Sequence, residues 1–292
     1  MPPRTGVLVL AFLLLAAPAC RRAAEAAAPP NQAANASAVP SFETELVEGD
    51  RAYADRGESA RLAEAIAAYG RAVAERPRDP TAGVRLARAE AFEALSEPDR
   101  VRARESWLAS ARAAERALRG LEPSFALAID RGDDPAAAVA GVGAAGAEPL
   151  YYLAQGTMRA AQATGYAAVL AVKDAVLAMM SRAAELDERV DAAGPHRALG
   201  AWLAALPIAA GGGATASRAH FDRARALSPD DLLAPAAEAE TLAVLLQDSA
   251  RFDALLAEVE RFDLSRDPER APENRVAKRR AADLSRRRAS LF

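Results

Sequence analysis

The stretch E-A-I-A-A-Y-G-R-A-V-A-E-R-P at residues 64–77 decides the fold of this chain. A second stretch, S-R-A-H-F-D-R-A-R-A-L-S-P at residues 217–229, repeats its residue types at the same steps of four, three and five. Both place a small residue, an aromatic residue, a small residue and a proline in this order: Ala65, Tyr69, Ala72 and Pro77, and Ser217, Phe221, Ala224 and Pro229. Small residues let the two helices of a hairpin approach closely, the aromatic fills the groove between hairpins, and proline ends the helix. Each stretch therefore predicts the second helix of a helical hairpin.

This spacing resembles the second-helix signature of a tetratricopeptide repeat, and weaker copies follow along the chain. The composition agrees, since 51% of the residues are hydrophobic but only 5% are aromatic. Such a chain is rich in helix-forming alanine and has no strand-like runs. We predict an all-α fold, an α-solenoid of degenerate tetratricopeptide-like helical hairpins with a C-terminal capping helix. Beyond the two clear copies, the predicted helices cover residues 82–95, 101–118, 150–163, 167–186, 195–206, 232–246, 250–262 and 273–291.

The only cysteine of the chain, Cys20, ends the run L-L-L-A-A-P-A-C. Arg4 before an apolar stretch over residues 6–17 is typical of a secretory signal, and this stretch is too short to span a bilayer as a helix. A small-residue run that ends in cysteine resembles the lipobox of bacterial lipoproteins, in which the cysteine carries the lipid. We predict a lipoprotein signal peptide over residues 1–19 and lipidation of Cys20. The alternative is an ordinary secretory signal with an incidental cysteine.

Residues 20–40 are rich in alanine and proline without an amphipathic period, and we predict that they form a flexible tether behind the lipid. The predicted helical domain covers residues 41–292. Within it, residues 120–148 interrupt the helical rhythm with prolines and glycines, which predicts an irregular connector. This connector divides the domain into an N-terminal block, 41–120, and a C-terminal block, 149–292.

Motifs for catalysis or cofactor chemistry are weak in this sequence. G-V-G-A-A-G at residues 141–146 spells the dinucleotide-binding pattern, but alanines rather than a strand precede it, and Glu148-Pro149 intervenes before the next helix. His196 and His220 have no cysteine partner and no acid at metal-ligand spacing. We predict no cofactor, no metal site and no enzymatic activity. The net charge of −3 gives no bulk attraction to nucleic acid, so none is predicted as a partner.

Two patterns of charge allow a plain structural interpretation. The pairs Asp133-Asp134 and Asp230-Asp231 adjoin proline turns, so we predict that they are solvated loop ends. A basic run on the last predicted helix is interpreted as its solvated face, with docking to an acidic partner or to anionic headgroups as the alternative. The run comprises Arg275, Lys278, Arg279, Arg280, Arg286, Arg287 and Arg288.

The second half of the chain carries a series of motifs in a fixed order. They are A-E-P-L-Y-Y-L-A at 147–154, G-P-H-R-A-L-G-A-W-L-A-A-L-P at 194–207, G-G-G at 211–213, A-H-F-D-R-A-R-A-L-S at 219–228 and N-R-V-A-K-R-R-A at 274–281. In this order, and with the Leu-Phe ending, they resemble the T-component lipoproteins of TRAP transporters (tripartite ATP-independent periplasmic transporters), the TatT-like family. The resemblance covers residues 41–292 and is strongest after Glu148.

The resemblance implies a lipid-anchored, periplasm-facing protein that assembles as a homotrimer. It also implies that the protein engages the periplasmic solute-binding P-component and passes on a hydrophobic or organic-acid-like ligand through an internal cleft. Arg21 is not the aspartate that commonly retains lipoproteins in the inner membrane, which favours the outer membrane. The candidate ligand-binding residues are Tyr151, Tyr152, His196, Trp202, Asn274 and Arg279.

A second class of function stays open from the sequence. The aromatics in the middle of the array could line an apolar cleft, or they could be hairpin packing in a structural tetratricopeptide scaffold for envelope assembly without a small-molecule ligand. A cleft lined by Tyr152, His196 and Trp202 would favour the transport accessory. A fully packed interior there would favour the scaffold.

Overall fold

The protein is described here by a computed structural model covering residues 41–292. The predicted signal peptide 1–19, Cys20 and the tether 20–40 lie outside the described residues. Residues 41–292 form one compact unit, built of helices with no strand among them. Successive helices pack against each other, and the predicted all-α solenoid is confirmed.

The helices follow the predicted order along the chain. Four form the N-terminal block: Phe42–Ala54 (α1), Ser59–Glu75 (α2), Pro80–Ser96 (α3) and Arg100–Leu121 (α4). Two short helices come next: Pro123–Arg131 (α5) and Pro135–Ala140 (α6). The rest are Ala147–Thr164 (α7), Tyr166–Leu186 (α8), Val190–Ala205 (α9), Ala214–Leu227 (α10), Leu233–Glu238 (α11), Ser249–Arg261 (α12), Ala271–Arg286 (α13) and Arg288–Leu291 (α14). A π-helical segment, Ala239–Ala243, continues α11. Four hairpins pair α1 with α2, α3 with α4, α7 with α8, and α9 with α10.

The two repeat aromatics pack inside their own hairpins. Tyr69 and Phe221 are both fully buried. A β-carbon on Gly49 of α1 would lie 2.4 Å from the Tyr69 ring of α2, and one on Gly200 of α9 would lie 2.9 Å from the Phe221 ring of α10. Phe221 also lies in one cluster with Ala237 and Leu242 of the helical segment that follows its hairpin, so the rings pack inside their hairpins as well as toward the next helices. Each ring occupies the space that a glycine leaves on the partner helix of the same hairpin.

The segment 120–148 is more ordered than the sequence predicts, because it contains α5 and α6. Pro123 and Pro135 lie in the first turns of these helices, where a missing N–H is tolerated and φ is already helical. The Asp134 carboxylate accepts the N–H groups of Ala136 and Ala137 and so caps α6. In the sequence the two prolines predict an interruption of helix, whereas in the structure each of them begins a helix.

The N-terminal and C-terminal blocks share one hydrophobic core rather than lying apart. Helix α4 packs directly on α7, and a β-carbon on Gly156 of α7 would lie 2.4 Å from the Trp107 carbonyl oxygen of α4. The main core runs from Ala52 of α1 to Val276 of α13. In the part of the chain that the structure describes, no helix is both long enough and apolar enough to cross a membrane.

Candidate functional site

A cleft, called the central cleft below, opens where α3 and α4 meet the helices of the C-terminal block. The volume that the centre of a water molecule can reach in this cleft is about 40 Å³. This is room for about two or three waters between the side chains. The apolar residues that line it, called the aromatic wall below, include Phe92, Leu95, Trp107, Tyr152 and Leu233. The charged residues that line it, called the charged wall below, are Arg88, Arg159, Asp191, Arg197, Glu273 and Arg280.

A strained turn forms one side of the charged wall. Asp191, Ala192 and Ala193 have φ values of 46°, 52° and 60°, so all three lie in the left-handed region. For residues with a β-carbon this conformation costs about 1–2 kcal/mol each. The carbonyl oxygens of Asp191 and Ala192 each accept a hydrogen bond from Nη1 of Arg197, at 3.3 Å. The turn is thus held from within by a buried guanidinium, as strained backbone at functional sites commonly is.

Four side chains close a ring of ion pairs behind this turn. Arg197 donates to Asp231 at 2.9 Å and to Asp191 at 2.8 Å, and Arg270 donates to the same two carboxylates at 2.6 and 2.8 Å. Arg197 and Asp231 are both buried. Burial acts to raise the pKa of Asp191, but Arg270 and Arg197 outweigh it and hold that pKa at about 2. The ring ties the start of α9 to the loop before α11 and to the start of α13.

A second buried ion pair joins the first hairpin to the C-terminal block. Arg56, between α1 and α2, donates Nε and Nη2 to the two carboxylate oxygens of Glu273, each at 2.7 Å. This is the bidentate geometry in which arginine binds a carboxylate most strongly. Because Arg56 takes both oxygens, the carboxylate of Glu273 is neutralised although it lines the cleft.

Three further arginines of the cleft are less well compensated. Among residues 41–292, no carboxylate lies within 4.0 Å of Arg88 or Arg159, and the buried Nε of Arg88 has no hydrogen-bond partner. Arg88 lies over the Tyr53 ring at 4.6 Å. Arg280 pairs with Glu240, yet burial and the nearby charges of Arg159 and Arg197 lower its pKa to about 9. The cleft therefore combines excess positive charge with an aromatic wall.

The structure brings one of the six predicted ligand residues to the central cleft, and that is Tyr152. Tyr151 lies fully buried behind the wall, where its hydroxyl donates to Asp191 at 2.7 Å and accepts from Gln155 at 2.7 Å. Trp202 is buried in the main core. These two side chains support the wall rather than face the space, and ligand binding by any of the three stays a prediction.

The other three predicted residues lie away from the cleft. Nδ1 of half-buried His196 is 2.9 Å from Nδ1 of His220, and burial lowers the pKa of both rings. Asn274 is fully buried, where it accepts the Leu232 N–H and donates to the Asp230 carbonyl, both at 2.9 Å. Arg279 is exposed on α13. Within residues 41–292 no group of three or more metal-ligating side chains forms a metal site.

The charged residues that shape the site are not among the predicted site residues, although two of them carry a signal in the sequence. Arg159 is the only charged residue between Glu148 and Lys173, and Arg197 is the only charge in an otherwise apolar stretch of α9. A lone charge in an apolar helix indicates a buried partner or a cleft. The prediction that Asp230-Asp231 is a solvated loop end is wrong for Asp231, which is buried against two arginines.

The basic run on the last helices is largely exposed, as predicted, with Lys278 and Arg280 only partly exposed. Arg275, Arg279, Arg286 and Arg287 are exposed, whereas Arg280 reaches back to the cleft. Residues 211–213 form the turn between α9 and α10, with positive φ at Gly211 and Gly213.

Comparison with protein families gives a match that spans most of the chain. The family model described as TRAP transporter T-component matches residues 54–292. No curated protein matches the chain. The matched region includes every residue that lines the central cleft except Tyr53.

Proposed function

This chain belongs to the TRAP transporter T-component family, and from that premise we propose that it is a lipid-anchored, periplasm-facing accessory of a TRAP-type transporter. In this role it engages the solute-binding P-component and holds a small organic ligand in the central cleft. The family match over residues 54–292 is the observation that carries the proposal. The helical solenoid of residues 41–292 supports it, since solenoid proteins bind partners and ligands along their grooves.

Docking to the solute receptor is tested by affinity capture. The full-length protein carries a C-terminal tag, is captured from gently solubilised membranes of its own host, and its partners are identified by mass spectrometry. We expect a periplasmic solute-binding protein among them, at a level well above that of a tagged unrelated lipoprotein. Recovery of envelope-assembly factors without any solute-binding protein would contradict the proposal.

The anchor is tested separately at Cys20. Cys20→Ala removes the acceptor for the lipid, so the variant is expected in the soluble periplasmic fraction instead of the membrane fraction. Cys20→Ser serves as the closest isostere and should behave in the same way. If either variant stays with the membrane, the attachment lies elsewhere. Separation of inner and outer membranes in the native strain tests the proposed outer-membrane location.

Self-association completes the proposal, with a homotrimer as the assembled form. Helix α8 supports it: its N-terminal half exposes Tyr166 and Leu170, with side chains 59% and 37% exposed. A helix that is apolar on more than one face favours a partner surface. Native mass spectrometry is expected to show a trimer, and Tyr166→Ser with Leu170→Ser should shift it to monomer. A native protein that is monomeric at micromolar concentration would refute this part.

One observation favours the scaffold as a second candidate function. The space in the cleft is small, and Trp202 lies in packed core. A scaffold for envelope assembly needs no cleft, and it should recover structural envelope proteins in the same capture experiment. The arginines along the cleft argue against a scaffold function, because a purely structural interior gains little stability from charges without partners.

A further inference from the structure

We propose that the exposed face of α13 docks the protein on an anionic phospholipid surface, and that Leu245 and Leu246 enter the headgroup region beside it. This basic face consists of Arg275, Arg279 and Arg286. The inference rests on the proposed lipid anchor and adds a second contact with the bilayer. Two contacts fix the orientation of the helical domain on the membrane, whereas the anchor alone does not.

The positive charge of the chain is concentrated on its last helices. Residues 271–292 hold seven of the 37 basic residues and two of the 40 acidic residues, which is a net charge of +5. Residues 1–270 hold the other 30 basic and 38 acidic residues, so they carry −8 of the net −3. This separation lets one helix be attracted to an anionic surface although the molecule as a whole is negative.

The three arginines of the basic face lie along one side of α13. Arg275, Arg279 and Arg286 are four and seven residues apart, which places them within about 40° of one another around the helix axis and over about 16 Å along it. The opposite side is buried and includes Ala277 and Leu284. Packing of that side fixes the rotation of the helix, so the three exposed arginines face outward together.

Local carboxylates neutralise little of this charge. Among residues 41–292, no carboxylate lies within 4.0 Å of Arg275 or Arg279. Arg286 shares the half-exposed carboxylate of Asp283 with Arg287, at 3.1 and 3.4 Å. Exposed ion pairs of this kind are weak. The guanidinium groups are therefore free to form charge-assisted hydrogen bonds with phosphate groups.

Two exposed leucines adjoin the end of this helical region. Leu245 and Leu246, which end the helical segment that follows α11, are 50% and 42% exposed. The next residue, Gln247, donates from Nε2 to the Leu291 carbonyl at 3.2 Å, so the leucines lie next to α14, which directly follows α13. Leucine beside arginine is typical of elements that lie in the membrane interface, because the apolar side chains leave water while the arginines reach the headgroups.

The proposed anchor favours a bilayer over an acidic protein as the occupant of this surface. The predicted tether places about 20 residues between Cys20 and Ser41, and a coil of this length has a root-mean-square reach of about 25 Å. The anchor therefore presents the bilayer to the basic face at a high effective concentration. An acidic protein accounts for the arginines alone, whereas an anionic bilayer accounts for the leucines as well.

Vesicle sedimentation tests the inference on the mature chain, residues 20–292 with Cys20→Ser, which has neither the signal peptide nor a lipid. The protein is mixed with sucrose-loaded vesicles of phosphatidylcholine alone or of phosphatidylcholine with phosphatidylglycerol. We expect binding to the anionic vesicles to be at least about tenfold stronger, and to be lost at about 1 M salt, where the Debye length is about 3 Å. Equal binding to both vesicles, or binding to neither, would overturn the inference.

A triple variant locates the contact on α13. Each arginine near an anionic surface raises the affinity by about fivefold. The basic-face variant, which combines Arg275→Gln, Arg279→Gln and Arg286→Gln, should therefore bind the anionic vesicles about 100-fold more weakly than the native sequence. Circular dichroism and thermal unfolding first establish that it is folded. A folded basic-face variant with unchanged affinity contradicts the proposal.

The matched control removes the same charge from another helix. Arg100→Gln, Arg112→Gln and Arg116→Gln together change three exposed arginines of α4. Because charges farther from the bilayer than a Debye length are screened, this control should stay within about twofold of the native affinity. Equal losses in the two triple variants would mean that total charge governs binding, and the basic face would be wrong.

The leucines are tested by Leu245→Ser with Leu246→Ser. Burial of two half-exposed leucines contributes at least about tenfold in affinity, so this double variant should bind more weakly by that factor and keep the native dependence on salt. Val101→Ser with Ile208→Ser changes two other exposed apolar residues, 66% and 85% exposed, and should bind as the native sequence does. An unchanged affinity in the leucine variant would refute entry of the leucines into the headgroup region.

Salt separates this contact from the lipid anchor. A Cys20→Ala protein that stays with the membrane until a wash at about 1 M salt is held by the basic face, and one that resists the wash has its anchor elsewhere. If the vesicles are bound as predicted and no solute-binding protein is captured, the inference stands and the transporter role is wrong. If the basic-face variant binds vesicles normally but no longer captures the receptor, the face is a protein-docking surface and the inference is wrong.

Discussion

The first hairpin (α1 with α2) and the hairpin of α9 with α10 are built on the same plan but differ in what they hold. In each, a glycine of the first helix receives an aromatic ring of the second: Gly49 receives Tyr69, and Gly200 receives Phe221. Four residues before the glycine the first hairpin has Glu45, which accepts Arg71 at 2.6 Å. The corresponding residue of the later hairpin is His196, which lies against His220 instead.

The larger difference lies at the entry to the two hairpins. Helix α1 begins with a plain cap, in which Ser41 accepts the Thr44 N–H. Helix α9 begins with the left-handed turn at Asp191, and a ring of buried ion pairs holds that turn. Packing of glycine against an aromatic ring is thus common to both hairpins, whereas the charged entry is found in only one of them. The charged entry of α9 is an addition, and it forms the wall of the central cleft.

Removal of the buried arginine should produce the largest difference between the two hairpins. Arg197→Met leaves Asp191 and Asp231 with only Arg270 between them, in a buried site. We expect unfolding by urea to show a loss of about 3–5 kcal/mol in the free energy of unfolding, because the remaining charges are uncompensated.

The matched control is Arg76→Met in the first hairpin. Arg76 pairs with Glu43 at 2.9 Å, but the side chains are 47% and 65% exposed. Exposed pairs contribute about 0–1 kcal/mol, so this variant should be close to native. A similar, small loss in both variants would mean that the ion-pair ring does not hold the fold.

Filling the glycine pocket tests the part of the plan that the hairpins share. In Gly49→Ala the new β-carbon meets the Tyr69 ring, which a 2.8 Å hydrogen bond to Asp50 holds in place. Denaturant unfolding should show a loss of about 1–3 kcal/mol from overpacking. Gly200→Ala should cost less, since the approach to Phe221 is longer and that ring has no polar tether.

Gly70→Ala gives the control on the same helix as Tyr69. A β-carbon at Gly70 meets no atom within 4 Å, so this variant should be neutral or more stable by about 0.5–1 kcal/mol, through helix propensity alone. If Gly49→Ala is tolerated as well as Gly70→Ala, close approach to the aromatic ring is not what joins the two helices.

Acid should weaken the α9 entry before pH 2 is reached. The pKa of Asp191 is about 2 in the folded protein against 3.8 in an exposed chain. A lowered carboxyl pKa adds stability that is complete above the unfolded value and is lost as the pH falls through the folded value, here from about pH 5 to about pH 2. The contribution is about 2 kcal/mol. The stability gap between native and Asp191→Asn protein, followed by urea unfolding, should shrink over this range; a constant gap would contradict the assignment.

Local features of the fold could be predicted from the sequence, and features made by distant residues could not. The helices, and the turn at residues 211–213, follow from alanine content, proline positions and the repeat at Tyr69 and Phe221. Arg197 and Asp231, in contrast, are 34 residues apart in sequence and Arg56 and Glu273 are 217 apart. Nothing in their local sequence says which charges meet.

The strained turn carries little sequence signal. Left-handed residues are normally glycine, asparagine or aspartate; Asp191 fits this preference, but Ala192 and Ala193 do not. Tertiary contacts from Arg197 and Arg270 impose the conformation. For the same reason the predicted site set contained Tyr152 of the cleft but none of its arginines: aromatic residues are conspicuous in this alanine-rich sequence, whereas arginines are common on every surface helix.

The smallest effect is expected at the histidine pair, His196 and His220, for which the first hairpin has Glu45 and Ala68. Burial lowers the pKa of His196 and of His220, and Glu188 opposes this at His196. A lowered histidine pKa means that the unfolded chain binds protons first, so stability is complete at high pH and falls as the pH drops below the unfolded value near 6.5.

His220→Ala introduces the residue that the first hairpin has at the matching position, Ala68. The variant should show a flatter stability profile between pH 8 and pH 5, as followed by urea unfolding. Glu188→Gln should steepen the profile by removing the one group that favours the protonated ring. If both variants keep the native slope, the titration in this range belongs to other groups and not to the histidine pair.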